Sequence, residues 1–418
     1  MSSTAKRAEH PLGTLLHPRE KTEGAEFVQR ALRAVREHLG LQVAYASQFI
    51  GDRAVYHSVD APGLEHLLQP GDSRPLDEVY CRDILDGRLP QLMTDTSRYP
   101  LAVAKPITAA VPIGAHVSVP LTLPNGEVYG MFCCLGPVAD DTLSVRDLEM
   151  MRVFADLAAF EIDADQQRER VCSEKVERIA RVIAQERLHI VYQPIWSISD
   201  DRPIGFESLA RFDDPVVQGA DRWFAEAADV GLGVELELHA IERALAALAA
   251  LPDDVYIAVN SSPATVLDPR LPWLLDRWPL SRIVLELTEH NAVDDFAPIL
   301  DVLTPLRRRG LRVAVDDAGA GYSGLQQILA MHPDLIKLDR SLIHDIGTDP
   351  GRRALAAALT HFARDTGSKL IAEGVETDVE LAMLRALGVE TVQGYLLGYP
   401  QPLADVQALL GRTNRRAA

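Results

Sequence analysis

Apolar residues follow two different rhythms along this chain. In the first part they recur at Phe27, Val28, Ala31, Leu32, Val35 and Leu39, the three-and-four spacing that lays one face of a helix on a core, and the run stops at Gly40. Two strand-like runs follow, QVAYASQFI and RAVYHSVD, parted by Gly51-Asp52, and then a more helical stretch over residues 76–85. Residues 116–123 and 127–135 flank Pro124-Asn125-Gly126. Asn-Gly between two apolar runs predicts a tight hairpin, with positive φ at both central residues of a type I′ turn. A helical pattern over residues 145–162 closes the unit, which reads as an α+β domain with an antiparallel sheet.

Residues 1–24 are polar and turn-rich, and a flexible N-terminal tail is expected there. Residues 25–163 form the first domain. A helical connector is expected over 164–187, where Val171, Val176, Ile179, Val182 and Ile183 keep a helical period but QQRER is wholly polar. Self-pairing of this connector in a dimer and a solvated linker helix fit it equally well.

From Leu188 the rhythm changes. Short apolar runs, LHIVYQPI, IGFESLA, VYIAVNSS, RIVLELTE, RVAVDDAG, LIKLDRS, KLIAEGVE and TVQGYLLG, alternate with amphipathic or alanine-rich stretches over about 230 residues. Eight strand–helix units of that size predict a (β/α)8 barrel over 188–410. An open doubly wound sheet is the alternative, weakened because no Gly-rich dinucleotide fingerprint follows any of the runs.

What ends each run is informative: Glu207, Asn260, Glu286 with Glu289, Asp316-Asp317, Lys337 with Asp339, Glu373 with Glu376, and Gln393. The C-terminal strand ends of a barrel converge on one face, so these residues are expected in a single pocket. So many carboxylates repel one another unless a cation joins them. All the donors are hard oxygens, which selects Mg²⁺ or Mn²⁺ over Zn²⁺. Asp316 and Asp317 cannot both face inward from a regular strand, because side chains alternate, and Gly319 and Gly321 are expected to free the backbone there. Taken singly, each residue has a plainer reading: a Glu caps a helix, an Asp-Asp makes a turn, a Lys lies on the surface. Their coincidence at seven strand ends favours a two-metal site, whose commonest chemistry is phosphoester hydrolysis. Lys337 would then orient water or neutralise phosphate, and Arg211 would pair with a second phosphate. An aldolase- or enolase-like barrel usually manages with one cation, and the adjacent aspartates count against it.

Composition narrows the partners. Of 418 residues, 42 are Lys or Arg and 60 are Asp or Glu, a formal charge of −18 that argues against general nucleic-acid binding. Cys81, Cys133, Cys134 and Cys172 form no disulfide or zinc spacing, and a cytoplasmic protein is expected. No signal peptide or membrane span is expected.

The ordered set Tyr192-Gln193-Pro194-Ile195, Glu207-Ser208-Leu209, Val259-Asn260-Ser261, Glu286-Leu287-Thr288-Glu289, Asp316-Asp317, Gly321-Tyr322-Ser323, Ile336-Lys337-Leu338-Asp339, Ala372-Glu373-Gly374-Val375-Glu376 and Gln393-Gly394-Tyr395 resembles the EAL domain over about residues 175–410. That resemblance implies a cyclic di-GMP phosphodiesterase yielding linear pGpG with Mg²⁺ or Mn²⁺, on a barrel in which one strand runs against the others. Carried over, Glu207, Asn260, Glu286, Asp316 and Asp317 match metal ligands, and Lys337 and Glu373 match residues that assist the attacking water. Glu289 matches the glutamate bracing the loop after Asp317. Arg211 resembles a substrate-phosphate contact, Gln393 lies in the same pocket, and Glu376 is placed with the substrate-binding residues. Two positions depart from the family pattern: Ser208 replaces an alanine, and Ala318 replaces a phenylalanine in the loop linking the metals to dimerisation, where an effect on turnover rate is expected.

Residues 24–163 resemble a GAF domain through Val79-Tyr80-Cys81-Arg82-Asp83-Ile84-Leu85, the Asp95 region, Val117-Ser118-Val119-Pro120-Leu121, the Asn125-Gly126 hairpin and Gly130-Met131-Phe132. The resemblance implies regulation by a small ligand or signal of unknown identity, and the cyclic-nucleotide NKxDE signature is absent. Cys81 reads as a buried thiol before it reads as a haem or bilin anchor. A GAF-regulated homodimeric phosphodiesterase is expected, and the alternative is a non-catalytic cyclic di-GMP effector that signals to a partner.

Overall fold

The computed structural model describes residues 23–185, 187–213, 219–287, 295–318 and 328–417, with Glu23, Asp317, Ala318 and residues 413–417 described by their backbone alone. The chain divides into two compact units between Val171 and Cys172.

The first unit is built on six antiparallel strands, β1 (Val43–Ile50), β2 (Arg53–Asp60), β3 (Ser73–Pro75), β4 (Leu92–Met93), β5 (Ala115–Thr122) and β6 (Val128–Gly136), in the order β3-β2-β1-β6-β5-β4. Strand alternation sorts the two faces. Ala44, Ala46, Phe132 and Cys134 meet helix α1 (Glu23–Leu39) through Val28, Leu32 and Val35. Val43, Tyr45, Met131 and Cys133 pack on the opposite face with Val79, Tyr80 and Ile84. That second face carries α2 (Cys81–Leu85), α3 (Pro100–Val103) and α4 (Pro106–Ala110). Cys81 is buried in its apolar cluster.

Two local expectations differ from the structure. The helix read over 76–85 is only Cys81–Leu85, because the chain first turns after Pro75, whose carbonyl accepts from the Glu78 amide at 3.0 Å. The hairpin is present, but only Gly126 has positive φ, at 87°. Its amide donates to the Leu123 carbonyl at 2.8 Å and the Leu123 amide to Glu127 at 2.8 Å, a three-residue loop in place of the two-residue type I′ turn. Helix α5 (Val145–Ala184) then runs for 40 residues without a break.

The second unit is a closed barrel of β7 (Leu188–Ser197), β8 (Arg202–Phe212), β9 (Tyr256–Ser261), β10 (Ile283–Leu287), β11 (Arg312–Ala318), β12 (Leu335–Leu338), β13 (Lys369–Ala372) and β14 (Thr391–Gln393). All eight runs read from sequence are strands. β7 is antiparallel to both neighbours, β8 and β14, while the other pairs are parallel. The first strand–helix unit is therefore a hairpin, since residues 198–201 leave no room for a crossover helix.

The barrel interior is layered. Ile195, Ala258, Val284, Ala314, Leu335 and Ile371 form one apolar cluster inside it. Gly205 completes that layer, because a Cβ there would lie 2.4 Å from the Tyr256 ring. The alternate residues Ile257, Val259, Leu285 and Leu287 face outward into the helix-covered core. No helix among the described residues is long and apolar enough to cross a membrane.

Candidate active site

The site is the next layer up. On parallel strands, two residues beyond an inward apolar side chain is inward again, one step nearer the mouth. Gly205 leads to Glu207, Ala258 to Asn260, Val284 to Glu286, Ala314 to Asp316, Leu335 to Lys337, and Ile371 to Glu373. An apolar floor and a polar rim thus follow from one period of two.

Lys337 is the hub. It is 1% exposed, and its Nζ lies 2.7 Å from Glu373 Oε1, 2.8 Å from Glu286 Oε2, 3.2 Å from Asp316 Oδ1 and 3.7 Å from Glu207 Oε2. Burial opposes the charge on Lys337, but the four carboxylates outweigh it and hold its pKa well above the usual lysine range. Burial pushes the Glu286 carboxyl well up, with Glu207 and Asp316 adding to the effect against the pull of Lys337. Burial likewise raises Glu373, to about 8, with Lys337 opposing and Asp316 and Glu207 adding.

Glu207 is fixed from two sides. Gln393 Nε2 donates to its Oε2 at 2.5 Å, and Asn260 Nδ2 lies 3.5 Å from its Oε1. Gln393 Nε2 also reaches Gln193 Oε1 at 3.2 Å. Ser208 points away, its hydroxyl donating to the Ala258 carbonyl at 2.7 Å.

The backbone at the two aspartates departs from regular strand pairing. Val315 pairs with Ile336 and Ala318 with Leu338, so Asp316 and Asp317 together oppose the single residue Lys337. That is a β-bulge, which breaks the alternation inside the strand. Gly319 and Gly321 lie outside the described residues, as does Glu289. The Asp317 side chain is likewise outside them.

Glu376 sits at the rim, where its Oε1 pairs with Arg340 at 2.9 Å. Gly374, at φ 67°, lets that arginine cross, since a Cβ there would lie 2.4 Å from Arg340 Cγ. Arg211 lies four residues beyond Glu207 on β8; it is exposed, and its Nη1 donates to the Ala210 carbonyl at 2.9 Å. Arg211 is not among the residues lining the cavity over Lys337. That cavity has about 600 Å³ of space, mouth included, between Glu207, Asp316, Glu373, Arg340, Gln393 and Tyr395.

Sequence reasoning missed Gln193 and Arg340 as site residues. Gln193 lies on the antiparallel strand, whose mouth-facing end is its N-terminal half, so what ends the run does not mark it. Arg340 is one residue past the strand-end Asp339, at the start of the next helix.

The donor set suits a hard divalent cation. Four carboxylates share one ammonium, and Glu286 Oε1 is buried without a hydrogen-bond partner. Among the described residues the acidic groups are gathered around Lys337, and no three of them already form a metal-ligand cluster.

Comparisons with known proteins point the same way. Residues 176–400 match the EAL domain and residues 23–163 the GAF domain. The chain is 32% identical over 209 residues to the probable cyclic di-GMP phosphodiesterase PdeA of Escherichia coli K12, covering 48% of this chain and 29% of that protein. It is 31% identical over 246 residues to the cyclic di-GMP phosphodiesterase NbdA of Pseudomonas aeruginosa, covering 56% and 31%. The chain thus spans about a third of the length of these curated relatives. Among solved structures, the PaMucR phosphodiesterase in its c-di-GMP complex aligns with TM-score 0.50 and 27% identity, covering 56% of this chain and 99% of that one. The EAL enzyme Bd1971 shares the fold over 88% of this chain and 92% of its own, at TM-score 0.54 and 20% identity. With more than half of its residues matched, this chain belongs to the EAL domain family and carries a GAF domain ahead of its barrel.

Proposed function

We infer that the barrel hydrolyses cyclic di-GMP to linear pGpG with Mg²⁺ or Mn²⁺, and that the GAF domain regulates it. The observation that carries this reading is the meeting of Glu207, Glu286, Asp316 and Glu373 around one buried lysine at the barrel mouth. That is a surplus of negative charge with no use in a purely structural core. The names of the relatives supply the substrate.

Glu207, Asn260, Glu286, Asp316 and Asp317 are the residues that would hold the cations. When bound, such a pair of ions holds the scissile phosphate and makes water a stronger nucleophile. Gln393 keeps the Glu207 carboxylate turned inward. Lys337 offsets charge that builds on the phosphate as water attacks and the sugar oxygen leaves. Glu373, 2.7 Å from Lys337, would take the proton from that water. Arg340, which lines the cavity and is oriented by Glu376, would meet the second phosphate, and Arg211, exposed outside the cavity lining, would have to swing in to join it. Glu289 is assigned a bracing role at the loop after Asp317. We take the working form as a cytoplasmic homodimer, with the connector over 164–187 joining its two domains.

The test is product analysis. Purified full chain with Mn²⁺ and cyclic di-GMP is expected to yield pGpG, and chelation to stop it. Tight binding without cleavage would instead establish the non-catalytic effector.

A further inference from the structure

The first unit holds a cavity that the hydrolysis reading does not use. It lies on the sheet face opposite α1 and has about 860 Å³ of space, mouth included. Its walls are almost wholly apolar, with Tyr45, Tyr56, Tyr80, Leu64, Leu68 and Val111 among them. Two residues break that character. Arg74, on β3, is half-buried, and among the described residues no carboxylate lies within ion-pair distance of it. His116, on β5, is 2% exposed, and its Nδ1 has no hydrogen-bond partner. The ring of His116 stands edge-on to Tyr80, with centroids 5.0 Å apart.

Elsewhere in this unit buried charge is matched. Asp83 has Lys105 at 2.5 Å and Arg88 at 2.9 Å, and Asp60 has Arg36 at 2.5 Å. Among the described residues, Arg74 is a half-buried guanidinium without an acid and His116 carries a buried ring nitrogen without a partner, and both line one cavity. Each is costly unless something satisfies it. A guanidinium in an apolar wall matches a carboxylate fork, and the tyrosines and leucines match an apolar body.

We propose that this cavity binds an amphiphilic monocarboxylate, with an aromatic or aliphatic body among the tyrosines and leucines and its carboxylate on Arg74. His116 offers a second buried hydrogen-bonding group on the same walls. The binding claim stands apart from hydrolysis, and only its consequence for the barrel rests on the function proposed above.

The experiment is calorimetric titration of the full chain, without metal or cyclic di-GMP, using two matched pairs: 2-naphthoate against 2-naphthalenemethanol, and decanoate against 1-decanol. At least one acid is expected to saturate at one per chain, binding about tenfold or more tighter than its alcohol. Which acid wins tells an aromatic from an aliphatic body. Arg74→Ala is expected to erase the acid–alcohol difference while leaving the alcohol's affinity unchanged. Equal affinity for acid and alcohol, no saturation by either acid below about 1 mM, or full discrimination retained in Arg74→Ala would each overturn the proposal. Because no turnover is read, failure of the hydrolysis reading leaves these outcomes intact.

Discussion

Lys337 Nζ and Glu286 Oε2 lie 2.8 Å apart inside the barrel, with side chains 1% and 0% exposed. Glu286 also belongs to the set proposed to hold metal, so this ion pair ties stability to chemistry. Removing the ammonium strands buried carboxylates. Lys337→Ala is therefore expected to cost about 3–5 kcal/mol. Trp196, Trp223, Trp273 and Trp278 all lie beyond Val171, so urea unfolding followed by tryptophan fluorescence reports on the barrel. An unchanged midpoint would mean the pair is not desolvated as described.

Deleting a carboxylate has the opposite balance. Glu207→Ala removes one of four negative groups that share a single lysine. Turnover is expected to fall by roughly 10²–10³, with the urea midpoint held or raised because repulsion is relieved. A large loss of stability in the metal-free protein would assign Glu207 a structural role.

Tyr395 lines the cavity at 48% exposed and stacks on Tyr399, 65% exposed, with centroids 4.5 Å apart and planes 25° from parallel. Two stacked, exposed tyrosines at the mouth offer a surface for a guanine base. Tyr395→Ala is expected to weaken cyclic di-GMP binding by the ~1–3 kcal/mol of one base stack, raising KM with kcat nearly unchanged. Hydrolysis of bis(p-nitrophenyl) phosphate, which lacks bases, is expected to be unaffected. Equal losses on both substrates would place the tyrosine's effect in the fold of the mouth.

His116 predicts an acid-sensitive first domain. Burial lowers its pKa to about 4, against the 6.5 of a free histidine. Between those values the unfolded chain binds a proton that the folded one does not, so stability falls as pH drops from about 6.5 towards 4. The loss is about 3 kcal/mol at most. The protection factors of β5 amides in the ligand-free protein, referred to intrinsic rates at each pH, are expected to fall across that window, and less so in His116→Phe. A pH-independent protection factor would contradict the burial of a neutral imidazole.

Most of the barrel is legible in the sequence because each strand is a short apolar run closed by a polar residue, and the layering by twos turns those closures into one site. Direction is not legible in this way. LHIVYQPI looks like its neighbours, and only the few residues before Arg202, too short for a crossover, mark it as the antiparallel strand; Gln193 is missed for that reason. The bulge at Asp316-Asp317 depends on pairing with Ile336 and Leu338, which lie far along the chain. Arg340 is set by Glu376 and by the missing side chain of Gly374, neither of which is its sequence neighbour. In the first domain the alternation of Tyr45 and Ala46 reads directly, whereas the unmatched charge of Arg74 is visible only once the surrounding walls are assembled.

If the reading above holds, the carboxylates around Lys337 gather divalent cations for hydrolysis. Mn²⁺ bound per chain, counted by electron paramagnetic resonance alongside cyclic di-GMP turnover at the same concentrations, decides the matter. About two ions per barrel are expected, with turnover that rises with their occupancy and loss of both in Glu286→Gln. Turnover that proceeds with no Mn²⁺ or Mg²⁺ bound, or ions that remain bound in Glu286→Gln, would contradict that reading.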